Sequence, residues 1–193
     1  MQEAMRDTPD ILNEYGFFTE QSRILDIGCG VGFIPSWCKE HEKNVDYLGV
    51  DVREASIIAC KMKHLGSNYE FTHINVYNDS YNPNGNVSPS EMTLPCADNS
   101  MDSVICHSLF THLGTERVAE RYIDEIMRVM KVGGLLWTTW FTAPPNDVSI
   151  STIRTVYSNE FVMSMIKRFE FIYSTGGTTD RYHDQYQIAL RKM

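Results

Sequence analysis

The chain has 193 residues, 42% of them hydrophobic, and carries a net charge of −8 from 25 acidic and 17 basic residues. That length fits one domain spanning 1–193 with a substantial core, and the composition excludes disorder. The acidic balance, with no long Lys/Arg run, argues against duplex nucleic acid or an anionic membrane surface as a partner.

Residues 1–21 read as a short N-terminal cap. Thr8-Pro9 followed by Ile11, Leu12 and Tyr15 predicts a helix start with a short apolar face, ended by Gly16. Tyr15, Phe17 and Phe18 are then placed either to cover a bound ligand or to pack in the core. Ile24-Leu25-Asp26-Ile27 reads as an apolar strand running into Gly28-Cys29-Gly30-Val31-Gly32. Phe33, Ile34 and Trp37 follow at helical spacing, with Pro35 in the first turn. Glycines at alternate positions let the backbone turn sharply and approach a ligand where a Cβ would collide. The amides at the helix start face the same ligand. Asp26 repels a pyrophosphate at this place, whereas it suits an adenosine carrying a cationic amino-acid end. The dinucleotide fingerprint G-x-G-x-x-G fails, because Phe33 stands where its third glycine belongs.

Asp46-Tyr47-Leu48-Gly49-Val50-Asp51 predicts the second strand. Asp51 lies 23 residues past Gly28, where an acid accepts hydrogen bonds from both ribose hydroxyls. Its structural alternative is the N-cap of the next helix, predicted over 54–65 from Ile57, Ile58, Met62 and Leu65. Tyr69 to Asn75 alternates as a third strand. Residues 76–93 are dense in Asn, Asp, Ser, Pro and Gly and read as a long loop. Such a loop in a compact domain is usually functional, and Tyr77, Tyr81 and Asn82 are its candidates for bordering an active site.

Ser103 to Cys106 predicts a fourth strand, ending at His107-Ser108. Thr115 caps a periodic helix through Val118, Tyr122, Ile126, Val129 and Met130. A Gly133-Gly134 turn leads into a fifth strand over 135–141. A loop over 142–149, a helix over 152–166 and two strands at 169–173 and 185–190 complete the chain. Strand patterns alternating with helices predict helices on both faces of one sheet.

Several of these stretches carry a resemblance. Asp26-Ile27-Gly28-Cys29-Gly30-Val31-Gly32, Leu94-Pro95-Cys96-Ala97-Asp98-Asn99-Ser100-Met101-Asp102 and Met130-Lys131-Val132-Gly133-Gly134 together resemble class I S-adenosylmethionine-dependent methyltransferases over about residues 22–141. Tyr81-Asn82-Pro83-Asn84-Gly85 and Ser108-Leu109-Phe110-Thr111-His112-Leu113 resemble a small-molecule subset of that family. Val132 stands where the family's turn has proline, and Asn75 where it usually has an acid to read the adenine amino group.

The resemblance implies a three-layer α/β/α sandwich. Its seven-stranded, doubly wound sheet is parallel apart from the strand at 185–190. It implies S-adenosyl-L-methionine as cofactor, S-adenosyl-L-homocysteine as product, and a small-molecule methyl acceptor. The cofactor site it implies is built from Asp26 with Gly28, Cys29, Gly30 and Gly32, from Asp51 and Val52, and from Asn75, Val76 and Ser108.

Where a nucleophilic oxygen or nitrogen must give up a proton to react, a base is also required, and His107 and His112, beyond the fourth strand, are the catalytic candidates. Each has a structural alternative in holding its loop, and His183 is a weaker third candidate. Two other functions fit the same stretches: a silent partner that binds the cofactor, and a nicotinamide-dependent oxidoreductase. Five cysteines with no C-x-x-C disfavour a zinc site or disulfide framework and point to a reducing cytoplasm. The polar start lacks a signal-peptide core, and no apolar run approaches a membrane span.

Overall fold

The computed structural model describes residues 2–144, 149–150, 154–175 and 185–193. In chain order the elements are α1 (Gln2–Glu14), β1 (Arg23–Ile27), α2 (Phe33–Glu40), β2 (Asp46–Asp51), α3 (Glu54–Lys63) and β3 (Glu70–His73). Then come β4 (Met101–Cys106), α4 (Glu116–Val129), β5 (Met130–Trp140) and the short strands β6 (Thr142–Ala143), β7 (Ser149–Ile150) and β8 (Thr155–Ser158). Last are α5 (Asn159–Ile166), β9 (Glu170–Thr175) and β10 (Tyr186–Arg191).

Seven strands form one sheet in the order β3-β2-β1-β4-β5-β10-β9. β10 runs antiparallel to both its neighbours, and the pairs from β3 through β5 are parallel. The predicted sheet, with its one reversed strand at 185–190, is therefore present. Side chains alternate across it. Leu25, Ile27, Val104 and Cys106 pack with α4 and α5 on one face. Ile24, Tyr47, Ile105 and Trp137 pack with α1, α2 and α3 on the other. The chain winds outward from β1 through β2 to β3, then returns to β4 on the other side. That reversal opens a crevice at the carboxyl ends of β1 and β4.

Four predicted elements differ. The loop over 142–149 carries β6 and β7 at its two ends, both paired with β8. α1 begins at Gln2, so Pro9 lies inside the helix instead of opening it, and Thr8 is buried rather than capping. The Gly133-Gly134 turn is absorbed into β5 as an irregularity, since Met101 pairs with Met130 but Ser103 with Leu135. Gly133, at φ 80°, accommodates the extra residues. The predicted helix over 152–166 is half strand. Thr155, Val156 and Tyr157 favour extended backbone and form β8, and Ser158 then caps α5 by accepting from Phe161 N at 3.1 Å. Residues 151–153, 145–148 of the predicted loop and His183 lie outside the described residues.

One buried acid ties a loop to the frame. Glu125 on α4 accepts from Leu94 N at 2.8 Å and from Arg128 Nη2 and Nε at 2.7 and 3.0 Å. Arg128 also donates to the carbonyls of Leu94 and Cys96, which fixes the 94–98 turn ahead of β4. Glu125→Ala leaves a buried amide unmet and loosens the arginine, an expected loss of about 2 kcal/mol in urea unfolding. Glu125→Gln, which keeps one acceptor, should lose less.

Candidate functional site

The crevice is built around the turn after β1. Gly28, Gly30 and Gly32 all have positive φ, at 78°, 54° and 75°. Only glycine takes this series of left-handed positions without strain. Gly28 N and Cys29 N donate to Val50 O at 2.8 and 3.1 Å, so the turn is stitched to β2. Asp51, at the end of β2, accepts from Gly30 N at 2.9 Å through one oxygen and from Arg53 N at 2.7 Å through the other. The carboxylate therefore fixes both the glycine turn and the entry to α3, and each oxygen keeps acceptor capacity.

Asp26 is buried on β1. Its only hydrogen-bond partner among the described residues is Tyr47, whose hydroxyl donates at 2.6 Å. Burial pushes its carboxyl up to about 7; the Tyr47 hydrogen bond works the other way, and the Asp51 charge adds to the rise. Among the described residues no cation is bonded to it. A buried acid at the wall of a cavity, without a counter-charge, fits the ammonium end of an amino-acid ligand.

A cavity of about 500 Å³ opens beside these groups. Asp26, Gly28, Cys29, Gly30, Asp51 and Val52 line it from the β1 and β2 side, and His107, Ser108 and His112 from beyond β4. Three of the anticipated positions lie outside its lining. A Cβ on Gly32 would meet Cys60 Sγ and His64 Nε2 at 3.1 Å, so this glycine serves the packing of α2 on α3. Asn75 spends its side chain on the loop, accepting from Asn82 at 3.1 Å and donating to Asn86 at 3.0 Å. Val76 is buried in the core. Ile74 and Asn78, on either side in sequence, face the cavity instead.

Other lining residues carried no sequence signal that pointed inward. Thr8 comes from α1, Phe33 from the start of α2 and Tyr122 from α4. Tyr15, Phe17 and Phe18 are not in the lining. Phe17 and Phe18 are core residues, and Tyr15 packs on Tyr173 with ring centroids 4.7 Å apart. Cys29 and Cys60 both point their sulfurs at Gly30 O, at 3.9 and 3.2 Å. The hydrogen bond to Cys60, helped by burial, pushes the Cys29 thiol far up, so it stays protonated.

Residues 76–93 form a cross-linked wall. Val76 bridges Val87, and Asn78 bridges Asn82. Asn78 Oδ1 accepts from Ser80 N and Tyr81 N at 3.0 Å, and its Nδ2 donates to His112 O at 3.1 Å. Tyr81 thereby stands edge-on to His112, with centroids 5.3 Å apart, and both line the cavity. Gly85 makes the fold of this loop possible, because a Cβ there would fall 2.5 Å from Tyr77 N. Gly85→Ala should break the Tyr77 to Val87 pairing at a cost of about 1–3 kcal/mol, read as lower thermal stability and faster amide exchange at Tyr77.

Ser108 is held in a left-handed conformation, at φ 57°. Its amide donates to Thr139 Oγ1 at 2.7 Å, its hydroxyl to Gln185 Oε1 at 3.1 Å, and its carbonyl accepts from Thr111 at 2.7 Å. Such strain persists only where surrounding bonds impose it, and it is concentrated at functional turns. It fixes the chain just past His107. Burial lowers the His107 pKa, so the imidazole is neutral at pH 7. His107 Nδ1 is sealed from solvent and has no hydrogen-bond partner among the described residues.

Residues 25–138 match the family of the methyltransferase domain. The chain belongs to that family. It is an S-adenosylmethionine-dependent methyltransferase. Solved structures share the fold at low identity. A Methanosarcina mazei S-adenosylmethionine-dependent methyltransferase is 18% identical, with a TM-score of 0.69 over 95% of this chain and 97% of its own. A Burkholderia thailandensis 1,6-didemethyltoxoflavin N1-methyltransferase, holding its acceptor and S-adenosylhomocysteine, is 15% identical, with a TM-score of 0.67 over 98% of this chain and 78% of its own. The [4+2]-cyclase SpnF is 18% identical, with a TM-score of 0.72 over 99% of this chain and 82% of its own. A cyclase on the same frame means that the reaction of this methyltransferase must be argued from its residues and its family.

Proposed function

We propose that this methyltransferase moves a methyl group from S-adenosylmethionine to a small-molecule acceptor inside the cavity between the ends of β1, β2 and β4. The donor supplies a methyl already activated on a sulfonium, so the protein's work is to hold and align two reactants. Asp26 accepts from the amino-acid ammonium, the turn from Gly28 to Gly30 lies along the chain of the donor, and Asp51 accepts from the ribose hydroxyls. Val52 supplies an apolar surface for adenine, and Ser108 faces the donor from across β4. His107 and His112 are the candidate bases, each on the wall away from the two carboxylates.

The observation that carries this reading is the pair Asp26 and Asp51 on adjacent strands with the glycine turn between them. A pyrophosphate at that turn would meet both charges, whereas an ammonium and a cis-diol match them in sign and spacing. The titratable wall beyond β4 favours a reactive enzyme over a silent binding partner. Two cores on opposite faces of one sheet support one folding unit over 1–193. No helix among the described residues is long and apolar enough to cross a membrane, and with five free cysteines this supports the cytoplasm as its compartment. The net charge of −8 argues against duplex nucleic acid as a partner.

Calorimetric titration with S-adenosylmethionine, S-adenosylhomocysteine and NAD tests the reading. The first two should bind at one site per chain and NAD should not. Binding of NAD alone would overturn it in favour of the oxidoreductase reading.

A further inference from the structure

The charged groups of the cavity are segregated. Asp26, Asp51 and Arg53 line its β1 and β2 side, where the donor is placed. The wall beyond β4 carries His107, Leu109, His112 and Leu113, joined by Tyr81 with its ring centroid 5.3 Å from that of His112, and has no Asp, Glu, Lys or Arg among the described lining residues there. Tyr81, 41% exposed, lines the cavity as a large ring left partly uncovered. A ring left open in this way gains most from a flat, apolar occupant.

His107 narrows the occupant further. Its Nδ1 is sealed without a partner, and its Nε2 is the nitrogen left unsealed. With Nδ1 sealed, Nε2 is the ring nitrogen that an occupant of the cavity can meet, and a hydrogen bond there would satisfy it. A neutral imidazole nitrogen can accept from a hydroxyl. It offers nothing to a carboxylate or phosphate that an uncharged wall would not also refuse. An ammonium would have to sit against the aromatic wall with no carboxylate on its side.

Matching of acidity separates the remaining neutral acceptors. A neutral amine attacks a sulfonium without a base, and a thiol is acidic enough to need little help. A phenolic hydroxyl, with a pKa of about 10, is within reach of an imidazole when the proton leaves as the new bond forms.

We propose that the acceptor is an uncharged aromatic molecule bearing a phenolic hydroxyl, packed against Tyr81 with its hydroxyl on His107 Nε2. The proposal rests on the methyltransferase reading above. In the step, the acceptor oxygen forms its bond to the methyl carbon as the carbon–sulfur bond breaks, and both electrons of that bond remain on sulfur. The hydroxyl proton passes to His107 Nε2, leaving an aryl methyl ether, the thioether product and an imidazolium that returns its proton to water. Tyr81 is a specificity residue in this arrangement, held by the Asn78 turn.

The test uses one ring with three head groups: 2-naphthol, 2-naphthoate and naphthalen-2-ylmethanamine, the last an ammonium at pH 7.5. Titration with S-adenosylhomocysteine comes first, and its failure would sink the parent reading separately. With the site saturated by that product, 2-naphthol should bind at least tenfold more tightly than either charged analogue. With S-adenosylmethionine, mass spectrometry should show the methyl ether of 2-naphthol.

His107→Gln should keep product binding within about twofold and lower kcat for 2-naphthol by about 100-fold or more. Tyr81→Ala should weaken 2-naphthol binding about tenfold at unchanged affinity for S-adenosylhomocysteine. Tighter binding of a charged analogue, no binding of any of the three, or an unaltered kcat in His107→Gln would each overturn the proposal.

Discussion

Asp51→Ala is expected to weaken S-adenosylmethionine binding by about 100-fold or more, with the fold retained. The side chain holds two backbone amides, at Gly30 and Arg53, and keeps acceptor capacity on both oxygens. In the proposed complex those two oxygens take the ribose hydroxyls. Each hydrogen bond to a charged acceptor contributes roughly 1.5–3 kcal/mol, so losing two amounts to at least a factor of about 100. The substitution also frees Gly30 N, and the glycine turn then samples conformations the ligand does not fit. Asp51→Asn keeps an oxygen but gives up the charge, so its affinity should fall between those of the wild type and the alanine variant. Calorimetry reads both, with circular dichroism as the check on folding. Wild-type affinity in Asp51→Ala would remove this residue from the cofactor site.

What the sequence made legible divides along physical lines. β1, β2 and β4 are short apolar runs, buried along most of their length, and such runs depend only on neighbours in the chain. The glycine turn was legible for the same reason: a left-handed backbone at alternate positions admits little besides glycine. The reversed strand β10 came from the family resemblance, since nothing in Tyr186 to Arg191 states its direction. The misplaced helix at 152–166 shows a local signal overruled by a misread one. Apolar spacing suited a helix, yet Thr155, Val156 and Tyr157 prefer extended backbone and find partners in β6 and β7.

The walls of the site were harder. In the sequence Phe33 reads as an apolar helix position and as the residue that breaks the dinucleotide pattern, and Thr8 as a cap. Both reach the cavity because α1 and α2 pack on one face of the sheet, which no stretch of either helix encodes. Asn75 was assigned by its position after the third strand. Its amide is instead consumed by Asn82 and Asn86, two residues of an insertion whose fold depends on the close approach at Gly85.

Asp26 carries the other large expected effect, a pH dependence of cofactor affinity. In the free protein its carboxyl is pushed up to about 7, chiefly by burial, so near neutral pH much of it is protonated. An ammonium docked beside it favours the carboxylate, so binding in acid must expel a proton. Affinity should therefore rise about tenfold per pH unit from pH 5 toward 7 and flatten above that. Near pH 8 the ligand's own ammonium begins to deprotonate, which bounds the plateau. Folding stability runs the opposite way. A carboxyl whose folded pKa is raised binds its proton more tightly than the unfolded chain does, so its contribution is complete below about pH 4 and is lost as pH rises through about 7. Asp26→Asn keeps an acceptor for Tyr47 and removes the charge. Calorimetry across pH 5–7.5 should find its affinity nearly flat, close to wild type at pH 5 and about 100-fold weaker near pH 7.5. Thermal unfolding of the free variant should show it more stable than wild type at pH 8 and similar at pH 4. A wild-type slope retained in Asp26→Asn would assign the titration to another group. The carboxylate that recognises the donor is then one the empty protein holds at a cost to its own stability, which the bound ammonium offsets.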